Sequence, residues 1–360
     1  MTQRGETKYI EQTISYILII NNRKDDNKQT ENNDMVTTTS STKVEILDEH
    51  YFAFSALFTI GLQLSFFTIA YVCKFDLLTD FAAALNKCIL AILTLTFNGT
   101  FYTRQVVLTG LLLACRAELG LFLLYRVCSR KKDARFDELR EKFFAFLGFW
   151  VYQMIWVFAT IAPVVFVNGD STNPSLSAID WIGWIVYVIG FLSQVVADYQ
   201  KFQFRKDPKN KGIICQVGIW KYSRHPNYFG EIMLWAGIFI GAIPVIISSN
   251  NTNGLGWLTI VSPIFSIFVL LFLSGIPFAE GPNLKRWYEL EDNGANWEQY
   301  AKTTSPLIPM PRFIYTNLSS MMKKLLCCEF DMYKYKAESK YLISNSKENP
   351  SYGSGDESKQ

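Results

Sequence analysis

The sequence predicts an all-α fold, a polytopic membrane helix bundle of about seven transmembrane helices, and three observations carry that expectation. Hydrophobic residues make up 49% and aromatic residues 15% of the 360-residue chain. Several apolar runs approach the roughly 20 residues that cross a bilayer as helix. None of these runs alternates with a period of two, and open sheet edges cannot face lipid, so helices are the economical reading.

Taken in order, residues 1 to about 48 are rich in Asn, Asp, Thr and Lys and read as a disordered tail. The short apolar patch 14–20 lacks a small-residue cleavage site and is not read as a signal peptide. A transmembrane domain is expected over 49–312, with spans near 52–73, 82–98, 105–128, 143–168, 180–197, 229–248 and 255–275. Beyond it, residues 313–360 form a Lys-, Ser- and Tyr-rich segment expected to be a loose cytosolic tail. No internal repeat is present.

Charge sets the expected orientation. Segments 129–142, 199–225 and 285–324 are dense in Lys and Arg, whereas loops 169–179 and 249–254 contain neither. The positive-inside rule then puts the basic loops and the C-terminus in the cytosol and the N-terminus outside or in the lumen. The triplets Asn98-Gly99-Thr100 and Asn250-Asn251-Thr252 fall in expected lumenal loops and have the pattern of glycosylation acceptors.

Composition also excludes. The net charge of +3 gives no sign of a nucleic-acid partner. The seven cysteines show no CxxC spacing, so neither a disulfide framework nor a zinc site is expected. With only two histidines, His50 and His225, a multi-histidine metal centre is out of reach, and no metal site is assigned. The adjacent Cys327 and Cys328, beside Lys323 and Lys324, read either as a palmitoylation site or as an incidental pair.

The richest stretch is 211–235, KGIICQVGIWKYSRHPNYFGEIMLW. A basic, Gly-punctuated loop enters a helix with Pro226 in its first turn, where a missing N–H costs little. Asn227, Tyr228 and Glu231 are spaced to share one helix face, with Arg224 and His225 at its mouth. A helix N-terminus flanked by cations is a natural seat for phosphate. Just upstream, Asp198, Lys201 and Arg205 share a face where a helix leaves the membrane. They read either as an interfacial helix end with snorkelling cations or, with Lys211, Lys221 and Arg224, as a seat for a pyrophosphate or a 2′-phosphate. His225 reads as a loop-ordering residue or a site residue. Glu231 lies one to two turns inside an apolar helix, a position that is costly unless the acid is paired or protonated, and a desolvated acid suits proton donation. Arg116 and Glu118 interrupt the third span two positions apart, so each needs a partner on another helix. After the last span, the aromatics around Trp297 and Tyr300 read as an interfacial belt or as a cytosolic lid over a bound nucleotide.

The block Trp220-Lys221-Tyr222-Ser223-Arg224-His225-Pro226-Asn227-Tyr228-Phe229-Gly230-Glu231, preceded by Asp198, Gln200, Lys201 and Arg205, resembles the C-terminal domain of the steroid 5-alpha-reductase-like superfamily, in its largely uncharacterised branch. Asp133, Arg135 and Phe136, Gln153 ahead of Pro163, the 275–277 turn with Glu280, and the 300–309 segment match that branch too, so the resemblance covers roughly residues 50–312. It implies an NADPH-dependent membrane reductase whose cofactor site opens to the cytosol, with the endoplasmic reticulum, where lipid-modifying relatives reside, the expected membrane and the N-terminus lumenal. By that resemblance Asp198, Arg205, Asn227, Tyr228 and the region of Tyr288 hold the nicotinamide cofactor, and Glu231 lies near the reacting end. The family pattern often has Arg where Glu118 stands here, so no substrate residue is carried over from the third span.

The expected function is reduction of a C=C bond in a steroid, sterol or other lipid enone, with NADPH as hydride source. Tyr228 and Glu231 are the catalytic candidates. Asp198, Lys201, Arg205, Arg224, His225, Asn227 and Tyr288 are the cofactor-binding candidates. Two alternatives stand beside it. The isoprenylcysteine carboxyl methyltransferases share the Arg-His-Pro-x-Tyr-x-Gly block but use S-adenosylmethionine, and a non-catalytic membrane protein of the same fold is the third reading. The sequence leaves the oligomeric state open.

Overall fold

The computed structural model describes residues 43–74, 79–130, 141–249, 254–281, 284–288 and 293–334. The chain divides into the units Met1–Ser41 and Thr42–Gln360. The first unit, with its 14–20 patch, lies outside the described residues, as do Asp133, Arg135 and Phe136, the triplet at Asn250, and 335–360. Among the described residues the second unit is all-helical, and two isolated bridges are its only β pairings.

Its long helices are α1 (Phe52–Val72), α2 (Thr79–Asn98), α3 (Thr103–Arg130), α4 (Phe143–Gly169), α5 (Ala178–Lys206) and α6 (Pro226–Ser248). A helical rod follows: a 3-10 segment over Leu255–Ile260, α7 (Val261–Phe268), and a π segment over Val269–Leu273. Six described segments are long and apolar enough to cross a membrane, namely α1, α2, α4, α5, α6 and the rod, and the protein is a helical membrane bundle. The helix expected as the third span, α3, forms over 28 residues between them and packs on α2 and α4.

Burial sorts the helices. Two-thirds of the apolar windows of α4 and α6 are buried (67% each), against 22% for α1 and 28% for α5. The core is therefore built on α4 and α6, where Ile161, Val164, Leu234, Trp235 and Ile238 cluster with Leu90 and Leu112. The exposed Ile182, Ile185, Ile189 and Leu192 of α5 face outward, as apolar side chains do toward lipid.

Helix ends explain themselves locally. The Asp48 carboxylate accepts from the backbone N–H groups of Phe52 and Ala53 at 2.8 Å each, satisfying first-turn donors of α1. Asp180 accepts from Ser177 N at the start of α5 (2.8 Å) and pairs with Arg104 of α3, Nε to Oδ1 at 2.5 Å. Beside it Asn98 and Gln105 donate to backbone carbonyls at the end of α4, and Asn168 of α4 donates to Ala91 O of α2. Asn98 is buried and donates to Asn168 O at 2.6 Å, so its triplet offers no glycan acceptor in this fold. Gln153 of α4 donates to Gln63 Oε1 of α1 (2.8 Å) and to Thr79 O of α2 (2.9 Å), tying three helices at one level.

The pair that positions the site is α5 with α6. Gly183 and Gly190 on α5 meet Gly237 and Gly230 on α6, two heptad-spaced small residues on each antiparallel partner. A Cβ on Gly237 would lie 2.5 Å from Tyr187 N, and one on Gly183 would lie 2.6 Å from Gly241 N. Backbones this close exclude any side chain at the seam.

Past the rod come α8 (Ile276–Glu280), α9 (Lys285–Tyr288), α10 (Asn293–Thr303), α11 (Arg312–Asn317) and α12 (Ser320–Cys327). The stretch 313–334, expected to be loose, instead folds back onto the bundle. Tyr315 and Tyr333 are buried, and Tyr333 Oη donates to Leu271 O at 2.8 Å. Aromatic content explains the difference: buried tyrosines with a satisfied hydroxyl contribute enough to order a short segment. Cys327 is buried with its sulfur 3.8 Å from Met310 Sδ, which removes it from the reach of acylation.

Candidate functional site

The end of α5 and the start of α6 are joined by a loop stitched to both. Ile219 N donates to Gln200 Oε1 (2.9 Å), and Trp220 Nε1 donates to Ala197 O (2.9 Å). Gly218 takes φ +53°, and a Cβ there would sit 2.2 Å from the Gln200 amide, so glycine is required twice over. Lys201 lays its ammonium 4.2 Å from the centroid of the Trp220 ring.

The segment after α10 then closes the loop from the far side. Arg224 N donates to Ser305 O (2.8 Å), His225 N to Pro306 O (3.1 Å), and Met310 N to Tyr222 O (3.0 Å). Ser223 Oγ donates to Leu307 O (2.7 Å), and Tyr300 Oη to Trp220 O (2.5 Å). Burial pushes the Tyr300 phenol above its ordinary range, leaving it a hydrogen-bond donor at neutral pH.

Within this frame Arg224 and His225 converge on one carboxylate. Glu280 Oε1 lies 3.2 Å from Arg224 Nε and 2.7 Å from His225 Nε2, and all three side chains are buried. His225 stacks on Tyr228, centroids 5.1 Å apart and planes 7° from parallel. Burial holds the His225 ring below its ordinary range, against the opposing pull of Glu280.

Outside this triad opens a cavity of about 720 Å³. Five cations line it, Lys201, Arg205, Lys206, Lys211 and Arg224, against one acid, Asp207. Trp220, Trp297 and Tyr300 form aromatic wall. The reading of the post-span aromatics as a cover over this site thus gains over the interfacial belt. At the second residue of α6, Asn227 Oδ1 is buried without a hydrogen-bond partner.

About 9 Å further along α6, at 1.5 Å rise per residue from His225 to Glu231, lies a second polar centre. Arg116 of α3 clamps Glu231 with Nη1 to Oε1 at 3.3 Å and Nη2 to Oε2 at 3.2 Å. Trp235 Nε1 donates to Glu231 Oε1 at 2.8 Å. Arg116 thereby has the partner on another helix that its place in the sequence demands. Asn227, Tyr228 and Glu231 share α6 but diverge: Tyr228 packs against the Ile276 and Leu307 cluster, while Glu231 turns into the bundle.

The model of the family described as protein of unknown function (DUF1295) matches residues 66–304. The chain belongs to this family. It is a steroid 5-alpha-reductase-like membrane family, which agrees with the resemblance carried by the Arg-His-Pro block. No curated protein and no solved structure matches the chain.

In this DUF1295 member, Lys201, Arg205, Arg224 and His225 come together at the cavity. Asp198, Asn227 and Tyr288 are not among the residues that line it; the Tyr288 hydroxyl donates to Glu298 Oε1 at 3.3 Å. Arg224 touches the cavity but is committed to Glu280, so it organises the loop more than it offers a free cation. Lys206 and Lys87 lie outside the expected site. Lys87, on α2, is 2% exposed within the bundle. Its signal was legible: a lone lysine inside an otherwise apolar span.

Proposed function

We propose that the protein is a membrane-embedded, NADPH-dependent reductase of a C=C bond in a lipid enone. The observation that carries this reading is the cavity at the start of α6, where five cations face a single acid beside two indoles. A pyrophosphate with a 2′-phosphate supplies the anions that such a lining demands. S-adenosylmethionine brings a sulfonium cation and no phosphate, so the same lining disfavours the methyltransferase reading.

Lys201, Arg205, Lys206 and Lys211 are the residues to hold the phosphates, and Trp297 is placed to stack on a base or ring. The orphaned Asn227 Oδ1 is a ready acceptor for an amide N–H. NADPH, when bound, supplies hydride to one carbon of the double bond. Tyr228, steadied by its stack on His225, is the candidate proton donor at the other carbon. Glu231, the second candidate, is held by a guanidinium and an indole N–H, which suits an anchor better than the isolated acid the sequence suggests. The apolar helices give room for a steroid-like or other lipid substrate. The basic loops at the cavity end favour a cytosolic mouth, and the endoplasmic reticulum remains our proposed membrane.

The test is a titration of NADPH, NADH and S-adenosylmethionine into the detergent-solubilised full chain and a Lys211→Glu variant. Lys211 is exposed, so its charge can be reversed without touching the Arg224–Glu280 pair. Saturable NADPH binding that weakens in the variant supports the reductase. Binding of S-adenosylmethionine alone would install the methyltransferase, and binding of neither the non-catalytic reading.

A further inference from the structure

The Arg116–Glu231 pair does not balance its surroundings. Lys87 reaches into the same region: its ammonium lies 4.8 Å from the centroid of the Trp235 ring and 5.8 Å from that of Trp156. Arg116 Cζ lies 5.0 Å from the same Trp235 ring. The ionisable groups that act on Lys87 are Arg116, Glu231, Cys88 and Cys115. Two basic side chains therefore share one carboxylate in the middle of an apolar bundle. Glu231 is already taken by both Nη atoms of Arg116, and among the described residues no carboxylate lies in ion-pair range of Lys87. Arg116 Nε is a buried donor without an acceptor. Two indole faces soften an uncompensated cation but do not neutralise it.

We propose that the Lys87–Arg116–Glu231 cluster is a binding site for the carboxylate of an apolar acid, whose oxygens satisfy the Lys87 ammonium and the orphaned Arg116 Nε. With Lys87 protonated by the bound acid's charge, the cluster carries one positive charge beyond what Glu231 offsets, which selects a monoanion; a phosphate monoester, nearly doubly charged, would overshoot it. The walls around the cluster are Trp156, Trp235 and apolar helix faces, so the rest of the ligand is a hydrocarbon. This site is distinct from the nucleotide cavity and does not depend on the identity of the cofactor.

The test measures saturable binding of radiolabelled oleate, and of oleyl alcohol as its neutral counterpart, to the full chain in lipid nanodiscs, with empty nanodiscs subtracted. Oleate binds and the alcohol binds at least ~10-fold more weakly, since losing the charge forfeits a buried ionic contact. Lys87→Met, which keeps length and removes charge, weakens oleate by about 10- to 100-fold; Lys87→Arg stays within a few-fold of the parent. Equal binding of acid and alcohol, no saturable oleate binding, or unchanged affinity in Lys87→Met each overturns the proposal. Should Lys87→Met fail to fold, the acid-against-alcohol comparison on the parent protein decides alone. Failure of NADPH to bind in a preparation that still binds oleate counts against the reductase reading and leaves this one standing.

Discussion

Gly190 of α5 and Gly230 of α6 touch through their backbones. A Cβ on Gly190 would lie 2.7 Å from Gly230 O and 2.6 Å from Leu234 N. Neither neighbour can yield, because both are main-chain atoms of a core helix. Gly190→Ala should therefore cost about 1–3 kcal/mol by overpacking. The reading is the thermal midpoint in detergent. Gly61→Ala is the control: nothing lies within 4 Å of the added methyl, so helix propensity predicts no loss and a gain of up to ~1 kcal/mol. Equal midpoints for both variants would show that the seam tolerates separation.

Arg116 and Glu231 should be strongly non-additive. Removing Glu231 leaves Arg116 buried without its acid, a loss of about 3–5 kcal/mol, whereas removing Arg116 leaves Glu231 with Lys87 nearby and costs less. Replacing both with Met and Gln removes the clamp and leaves Lys87 alone, so the double variant should still be more stable than the sum of the singles by about 0.5–3 kcal/mol. Denaturation of all four proteins closes the cycle. Strict additivity would mean that the clamp contributes nothing as a pair.

His225 should make stability sensitive to acid. Its folded pKa lies below the unfolded value of 6.5, with burial the largest cause. Above that value both states are neutral and the full stability is present. As pH falls below it, the unfolded chain takes up the proton first and stability declines, by at most ~1.4 kcal/mol per pH unit for this one group. Glu280, Arg224 and Lys201 also act on the ring, so the comparison is with His225→Gln, whose midpoint should vary less between pH 7 and pH 5. A parent protein gaining stability over that window would reverse the sign and refute the assignment.

On the proposed function, NADPH affinity should be salt-dependent. The lining cations Arg205, Lys206 and Lys211 are exposed, and contacts between exposed charges are screened within about 8 Å at physiological ionic strength. Raising salt and introducing Lys211→Glu should both weaken NADPH, and NADPH more than NADH if a 2′-phosphate is bound. Parallel losses for the two cofactors would move Lys211 to the pyrophosphate.

The fold was legible because each span carries its own signal. Apolar length and the absence of alternation locate α1 to α4 and α6 to within about three residues, whereas α5 runs nine residues past its expected end at 197; alternating loop charge groups the helix ends that meet at the cavity. The site was legible only where it is local. Arg224, His225 and Asn227 stand side by side in the sequence, and their cluster was expected. Their organiser, Glu280, lies on a different element, and nothing in a single sequence pairs the two. Likewise Arg116 announces a need for a partner without naming Glu231. Asp198 and Tyr288 were carried over by resemblance, and neither lines the cavity. Residues 313–334 pack against the bundle despite their low hydropathy because Tyr315 and Tyr333 anchor them.

The closure of the Arg224 loop by Ser305, Pro306 and Leu307 has a consequence for biosynthesis. Every spanning helix is made before these residues leave the ribosome, and the family match itself ends at residue 304. The loop between α5 and α6 must therefore wait, with its backbone donors unpaired, until the last polar stretch arrives. Insertion into the membrane and completion of the cavity are separate events in the life of the chain. A protease cutting between the rod and Ser305 would separate this closing segment from every inserted helix by a single broken bond.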